Sequence, residues 1–159
     1  MTIDLRPLQP TDADWVARQH GVLYARDEGF AETFEPLVAS IVNDFVAAHD
    51  PACERGWITW ENQHRLGCIF CVKMDEQTAK LRLFLLVPEA RGRGLGRQLL
   101  DCCMGFARAA GYSRMTLWTH AEHRAACALY QRSGWQLTQS QRVHSFGRDL
   151  TEQQWDIDL

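Results

Sequence analysis

Leu81-Arg82-Leu83-Phe84-Leu85-Leu86-Val87 is apolar at all but one position, and it restricts the possible folds more than any other stretch of the chain. Such a run marks a strand covered on both faces. It leads through Pro88-Glu89-Ala90-Arg91-Gly92-Arg93-Gly94-Leu95-Gly96 into a segment where Leu95, Leu99, Leu100, Cys103, Phe106, Ala107 and Ala110 recur at helical spacing. Glycines at 92, 94 and 96 let the backbone turn sharply and bring its N–H groups close to a ligand. The helix start adds unpaired amides and the positive end of its dipole. Strand, glycine loop and helix in that order form a phosphate cradle.

The loop narrows the choice of phosphate. No Gly-Lys-Ser/Thr closes it, as nucleoside triphosphate hydrolysis would require, and Gly92-x-Gly94-x-Gly96 has the wrong spacing for a dinucleotide site. It fits Arg/Gln-x-x-Gly-x-Gly/Ala through Arg91, Gly94 and Gly96, and Ala128-Leu129-Tyr130-Gln131-Arg132-Ser133-Gly134-Trp135 follows downstream. The two together resemble the GNAT N-acetyltransferase superfamily. Met115-Thr116-Leu117-Trp118-Thr119 and His144-Ser145-Phe146-Gly147-x-Asp149-Leu150 further resemble the acetyltransferase half of MarR–GNAT fusion proteins. With no winged-helix segment ahead of it, the expectation is a free-standing relative.

The rest of the chain reads in the order of that fold. Ile3 to Pro7 is an opening strand, and Thr11-Asp12 supplies the N-cap of a helix that Gly29 stops. A second helix carries Phe34, Leu37, Val38, Ile41, Val42 and Phe45 and ends near Asp50-Pro51. Strands follow at 56–61, 66–73 and 81–87, then the helix after the loop, a strand at 115–119 and a helix over about 122–133. Trp135-Gln136-Leu137 and Trp155-Asp156-Ile157-Asp158-Leu159 are the last strands, and the latter could pair across a homodimer. The expected fold class is α/β (α+β), a mixed, mostly antiparallel sheet of six to seven strands flanked by about four helices. One domain over 1–159 is expected at this length.

A formal net charge of −3 without a dense Lys/Arg block argues against a nucleic-acid partner. No apolar stretch has the length of a membrane span and no signal pattern opens the chain, so a cytoplasmic protein is expected. The six cysteines complete no metal set. Cys68 and Cys71, three apart in a strand, face opposite sides of the sheet. No metal is expected.

By the resemblance, acetyl-CoA is the acetyl donor and the loop holds its pyrophosphate, with Arg91, Gly92, Arg93, Gly94, Leu95, Gly96 and Arg97 as the contacting residues. The arginines read equally as phosphate ligands or as a solvated helix start. Leu85, Leu86 and Val87 would pair with the pantetheine arm. Tyr130 matches the family tyrosine that protonates the leaving thiolate. His120 stands where relatives often carry Asn; it is a base, a ligand contact or a surface residue ahead of a helix. Many relatives carry a glutamate in the central strand; here Arg82, Phe84 and Leu86 occupy that region, leaving a water chain or a carboxylate from the first two helices as base. Glu28, Phe30 and Glu32 lie between those helices, and His144 and Ser145 lie on the loop before the last strand; all five are candidates for the acceptor side, where a small-molecule or peptide amine would bind. The rival reading is an acyl-CoA-binding sensor without turnover.

Overall fold

The computed structural model describes residues 2–159. Strand β1 (Ile3–Pro7) leads through a 3₁₀ turn into α1 (Ala13–Glu28), and α2 (Phe34–Ala48) packs against it. Strands β2 (Arg55–Glu61), β3 (His64–Lys73) and β4 (Thr78–Leu86) follow as a meander. The glycine loop feeds α3 (Leu95–Ala109), then come β5 (Arg114–His120), α4 (Arg124–Arg132) and the hairpin of β6 (Gln136–Ser145) and β7 (Arg148–Asp158). The seven strands form one sheet in the order β1-β2-β3-β4-β5-β7-β6, antiparallel except where β4 meets β5.

Helical periodicity decides which face each helix buries. In α1 the stripe Ala13, Val16, Ala17, His20 and Leu23 turns inward, and in α2 Val38, Val42 and Phe45 do. These join Ile58, Leu66, Cys68, Phe70, Leu85 and Val87 on one side of the sheet. Leu99, Leu100, Cys103 and Ala107 of α3 pack with Ile69, Cys71, Leu81, Tyr130 and Trp155 on the other. Cys68 and Cys71 therefore do lie on opposite faces.

The central strand is not the continuous one that its apolar run suggests. Leu83 has φ +55°, and Phe70↔Arg82 with Cys68↔Leu85 sets two residues of β4 opposite the single Ile69. That is a β-bulge, which reverses the alternation. Leu81 faces the α3 core, whereas Leu85 faces α1 and α2.

Three other expectations change. Asp12 is the N-cap residue of α1, but its side chain does not bond the helix amides; its carboxylate accepts the Gln9 N–H at 2.7 Å and pairs with Arg65 at 2.8 Å. His144 and Ser145 are the last residues of β6, not a loop, because the polar stretch before them extends the hairpin. Finally, β7 has no free edge for a dimer partner at Trp155 and Asp156, where β5 occupies one side and β6 the other; only Ile157 and Asp158 extend beyond β6. Among the described residues no helix is long and apolar enough to cross a membrane.

Candidate functional site

The bulge shapes the first element of the site. β4 and β5 pair only at Thr78↔Arg114, Ala79↔Met115 and Lys80↔Thr116, and beyond those rungs the strands separate. A cavity of about 500 Å³ opens here, with Phe84, Leu85 and Leu86 on one wall and Leu129 of α4 on another. Val87 is buried outside it and donates its N–H to Leu66 O at 2.9 Å. Strand alternation then turns the Leu86 amide toward the opening. Of the three expected pantetheine positions, Leu85 and Leu86 line the cavity and Val87 does not.

The glycine loop forms the floor. Gly92 and Gly94 have φ of +74° and +77°, and a Cβ at either would meet nothing within 4 Å. Both turn left-handed toward open space, which L side chains rarely do. Gly94 is the residue before α3, and no side chain caps that helix, so its first amides point unpartnered at the same opening. Gly96 packs closely: a Cβ would lie 3.4 Å from Leu86 Cδ1.

The charged rim differs from the one expected. Arg91 and Arg97 line the cavity, joined by Arg124 and Arg132 of α4. Arg93 is drawn away by Glu61, 2.5 Å from its guanidinium, and Leu95 is buried in the core. Four arginines thus line one cavity in a chain whose net charge is −3, with Asp27 and Glu28 beside them. Arg91 pairs with Asp27 at 3.2 Å and Arg97 with Asp101 at 3.1 Å, both at exposed positions from which a phosphate can draw the guanidinium. The sequence does not reveal that arrangement, because α4 folds back over the loop from thirty residues away.

A second cavity of about 230 Å³ adjoins the first, and Tyr24 lines both. Two cross-links define it: Ala31 N–H donates to Phe146 O at 2.8 Å, and Arg148 donates to Glu28 O. They tie the α1–α2 connection to the β6–β7 turn and enclose Phe30, Phe34 and Phe146, with His120 at the inner end.

His120 ends β5 and Glu28 ends α1, and His120 Nε2 lies 3.4 Å from Glu28 Oε2. The contact is close but poorly aligned, so Nε2 is buried without a hydrogen-bond partner. His123 stacks on His120 with ring centroids 5.6 Å apart. Burial, and then the neighbouring His120, push the His123 pKa below its ordinary value despite Glu28. Glu28, His120 and His123 each bring one donor atom within 4.8 Å of the others. Such a set can move a proton, and it could also hold a divalent ion, which the sequence spacing did not suggest.

Tyr130 lies deeper than its expected role suggests. It is 3% exposed, its ring sits 5.8 Å from Trp135 and 6.4 Å from Phe84, and it lines neither cavity. Burial, reinforced by Tyr24, raises its pKa and keeps the hydroxyl protonated. Tyr24, which the sequence reading passed over, is likewise held protonated by burial and by Glu28. Phe30 lines the second cavity, whereas Glu28, expected on the acceptor side, lines the first and reaches the second only through its contact with His120. Glu32 is exposed and lines neither cavity, and His144 pairs with Asp149 on the outer surface at 2.8 Å.

The profile of the Acetyltransferase (GNAT) family matches residues 14–135. The mycothiol acetyltransferase of Beutenbergia cavernae is 40% identical over 60 residues, 38% of this chain and 20% of that protein. Human N-acetyltransferase 8B is 30% identical over 97 residues, 58% of this chain and 43% of that protein. The chain thus matches less than half the length of either relative. The yncA protein of Salmonella typhimurium, solved with its cofactor acetyl-CoA, superposes with a TM-score of 0.78 at 18% identity, covering 100% of this chain and 95% of that one. The spermidine N-acetyltransferase of Vibrio cholerae, in complex with CoA and spermine, gives 0.74 at 18% identity over 98% and 95%.

Proposed function

Because the chain belongs to the GNAT acetyltransferase family, we propose that it transfers the acetyl group of acetyl-CoA to a primary amine by direct attack in a ternary complex. The observation that carries this reading is the opening between β4 and β5, floored by a left-handed glycine loop at the start of α3. It offers edge amides to a pantetheine arm and helix-start amides, with Arg91, Arg97, Arg124 and Arg132, to phosphates. The Leu86 amide is placed to polarise the thioester carbonyl.

The amine enters from the cavity that Tyr24 shares with the donor site. Its nitrogen bonds to the acetyl carbon and the carbon–sulfur bond breaks. His120 takes the proton lost by nitrogen, and Glu28 stabilises the imidazolium that results. A tyrosine phenol returns a proton to the departing thiolate, giving free CoA and the amide. Tyr130 is the family's residue for that step, and Phe84 links its ring to the donor cavity. The test is an amide NMR titration with CoA, followed by addition of amines. Shifts centred on Leu86, Gly92 and Gly94 support the donor site. Shifts confined elsewhere would overturn it.

A further inference from the structure

We infer that the acceptor is a primary monoamine carried on a compact aromatic body, a conclusion that rests on the acetyl-transfer role proposed above. Phe30, Phe34 and Phe146 meet at the second cavity in mutual aromatic contact. Phe30 stacks on Phe146 at 5.2 Å and 17°, and Phe34 stands edge-on to both at 5.0 and 4.9 Å. Trp118, 42% exposed, extends this surface from β5. A large ring left that open gains little from the fold itself. A ligand ring would find both faces and edges to pack against.

Charge and size favour the same acceptor. Glu152 is the one carboxylate lining this cavity among the described residues, and it is the cross-strand partner of His120. One ammonium can therefore be met at the inner end, by Glu152 and the aromatic faces, before it is deprotonated. Glu28, beside His120, and Glu152 both belong to that inner end, so a second ammonium farther out among the phenylalanines would meet aromatic faces and no carboxylate, which disfavours polyamines. At about 230 Å³ the cavity is also smaller than a multi-ring aminoglycoside needs. The ring sits among the phenylalanines, a short linker reaches past Tyr24, and the nitrogen meets His120.

The test compares 2-phenylethylamine, spermidine and kanamycin as acceptors, and measures 2-phenylethylamine binding to the CoA-loaded protein by saturation-transfer NMR. The expected kcat/KM for 2-phenylethylamine exceeds that for spermidine by about tenfold or more. Phe34→Ala should raise the KM for this amine about tenfold while leaving the KM for acetyl-CoA unchanged. Trp118→Ala, at an exposed position the fold does not need, should raise it in the same sense. Preferential acetylation of spermidine or kanamycin would overturn the aromatic acceptor and leave acetyl transfer standing. Binding of 2-phenylethylamine with no amine acetylated would support the aromatic site and overturn the transfer reading, so the two failures are told apart.

Discussion

His120 Nε2 and Glu28 Oε2 are 3.4 Å apart, joining the last residue of β5 to the last residue of α1. The central strand carries no glutamate, and a carboxylate–imidazole pair stands at the junction of the two cavities. The negative end of the α1 dipole lies at the same point and favours a positive charge there.

If this pair handles the amine proton, His120→Ala should lower kcat by roughly 10²–10⁴. Glu28→Gln keeps the shape and removes the charge, so its loss should be smaller, about tenfold. Neither should change acetyl-CoA affinity, measured by calorimetry. A fully active His120→Ala enzyme would assign the proton to another group.

The two buried phenols can be separated by a paired substitution. Tyr130→Phe should reduce kcat by roughly 10²–10⁴ if its hydroxyl protonates the thiolate, with acetyl-CoA affinity intact. Tyr24→Phe should instead act mainly on the KM of the amine, since Tyr24 stands between the cavities. Stopped-flow kinetics of both variants decides the matter. A large kcat loss confined to Tyr24→Phe would transfer the role.

At the loop, Gly94→Ala forces a left-handed φ of +77° on an L residue and pushes a methyl into the open floor of the donor cavity. The conformational cost alone is about 1–2 kcal/mol, so CoA affinity should fall by tenfold or more as read by calorimetry. Arg93→Ala should change it little, because that side chain is engaged by Glu61 rather than turned to the cavity.

His20 gives a pH-dependent stability. Its Nδ1 lies 2.8 Å from Val16 O, its Nε2 is buried without a partner, and burial lowers its pKa from 6.5 to about 4. Between those values the unfolded chain takes up a proton that the folded one refuses. Stability contributed by the neutral ring is complete above pH 6.5 and is lost as pH falls toward 4, by about 3 kcal/mol in all. Urea denaturation of wild type and His20→Phe at pH 7, 5.5 and 4.5 should show a steeper loss in the wild type. Parallel curves would contradict this.

Much of the donor site was legible in the sequence because it is local. A strand, a loop with left-handed glycines and a helix lie within thirty residues, and their chemistry follows from backbone geometry. The bulge at Leu83 was not legible, since a run apolar on both faces carries no parity from which a reversal could be read, and Leu83 is no glycine. The hairpin was read short because β6 is an edge strand, exposed over most of its length, where polar residues hide the alternation. The pairing of Glu28 with His120, and the turning of Arg124 and Arg132 onto the loop, depend on topology between distant segments. No spacing rule supplies that.

The measurement that tests the central claim most directly is mass spectrometry of free CoA and of acetylated products, after incubation of the protein with acetyl-CoA and a pool of primary amines. The account predicts an acetylated amine whose formation requires both components and collapses in His120→Ala. Tight binding of acetyl-CoA with no acetylated product from any amine would contradict it and leave a protein that binds the thioester without using it.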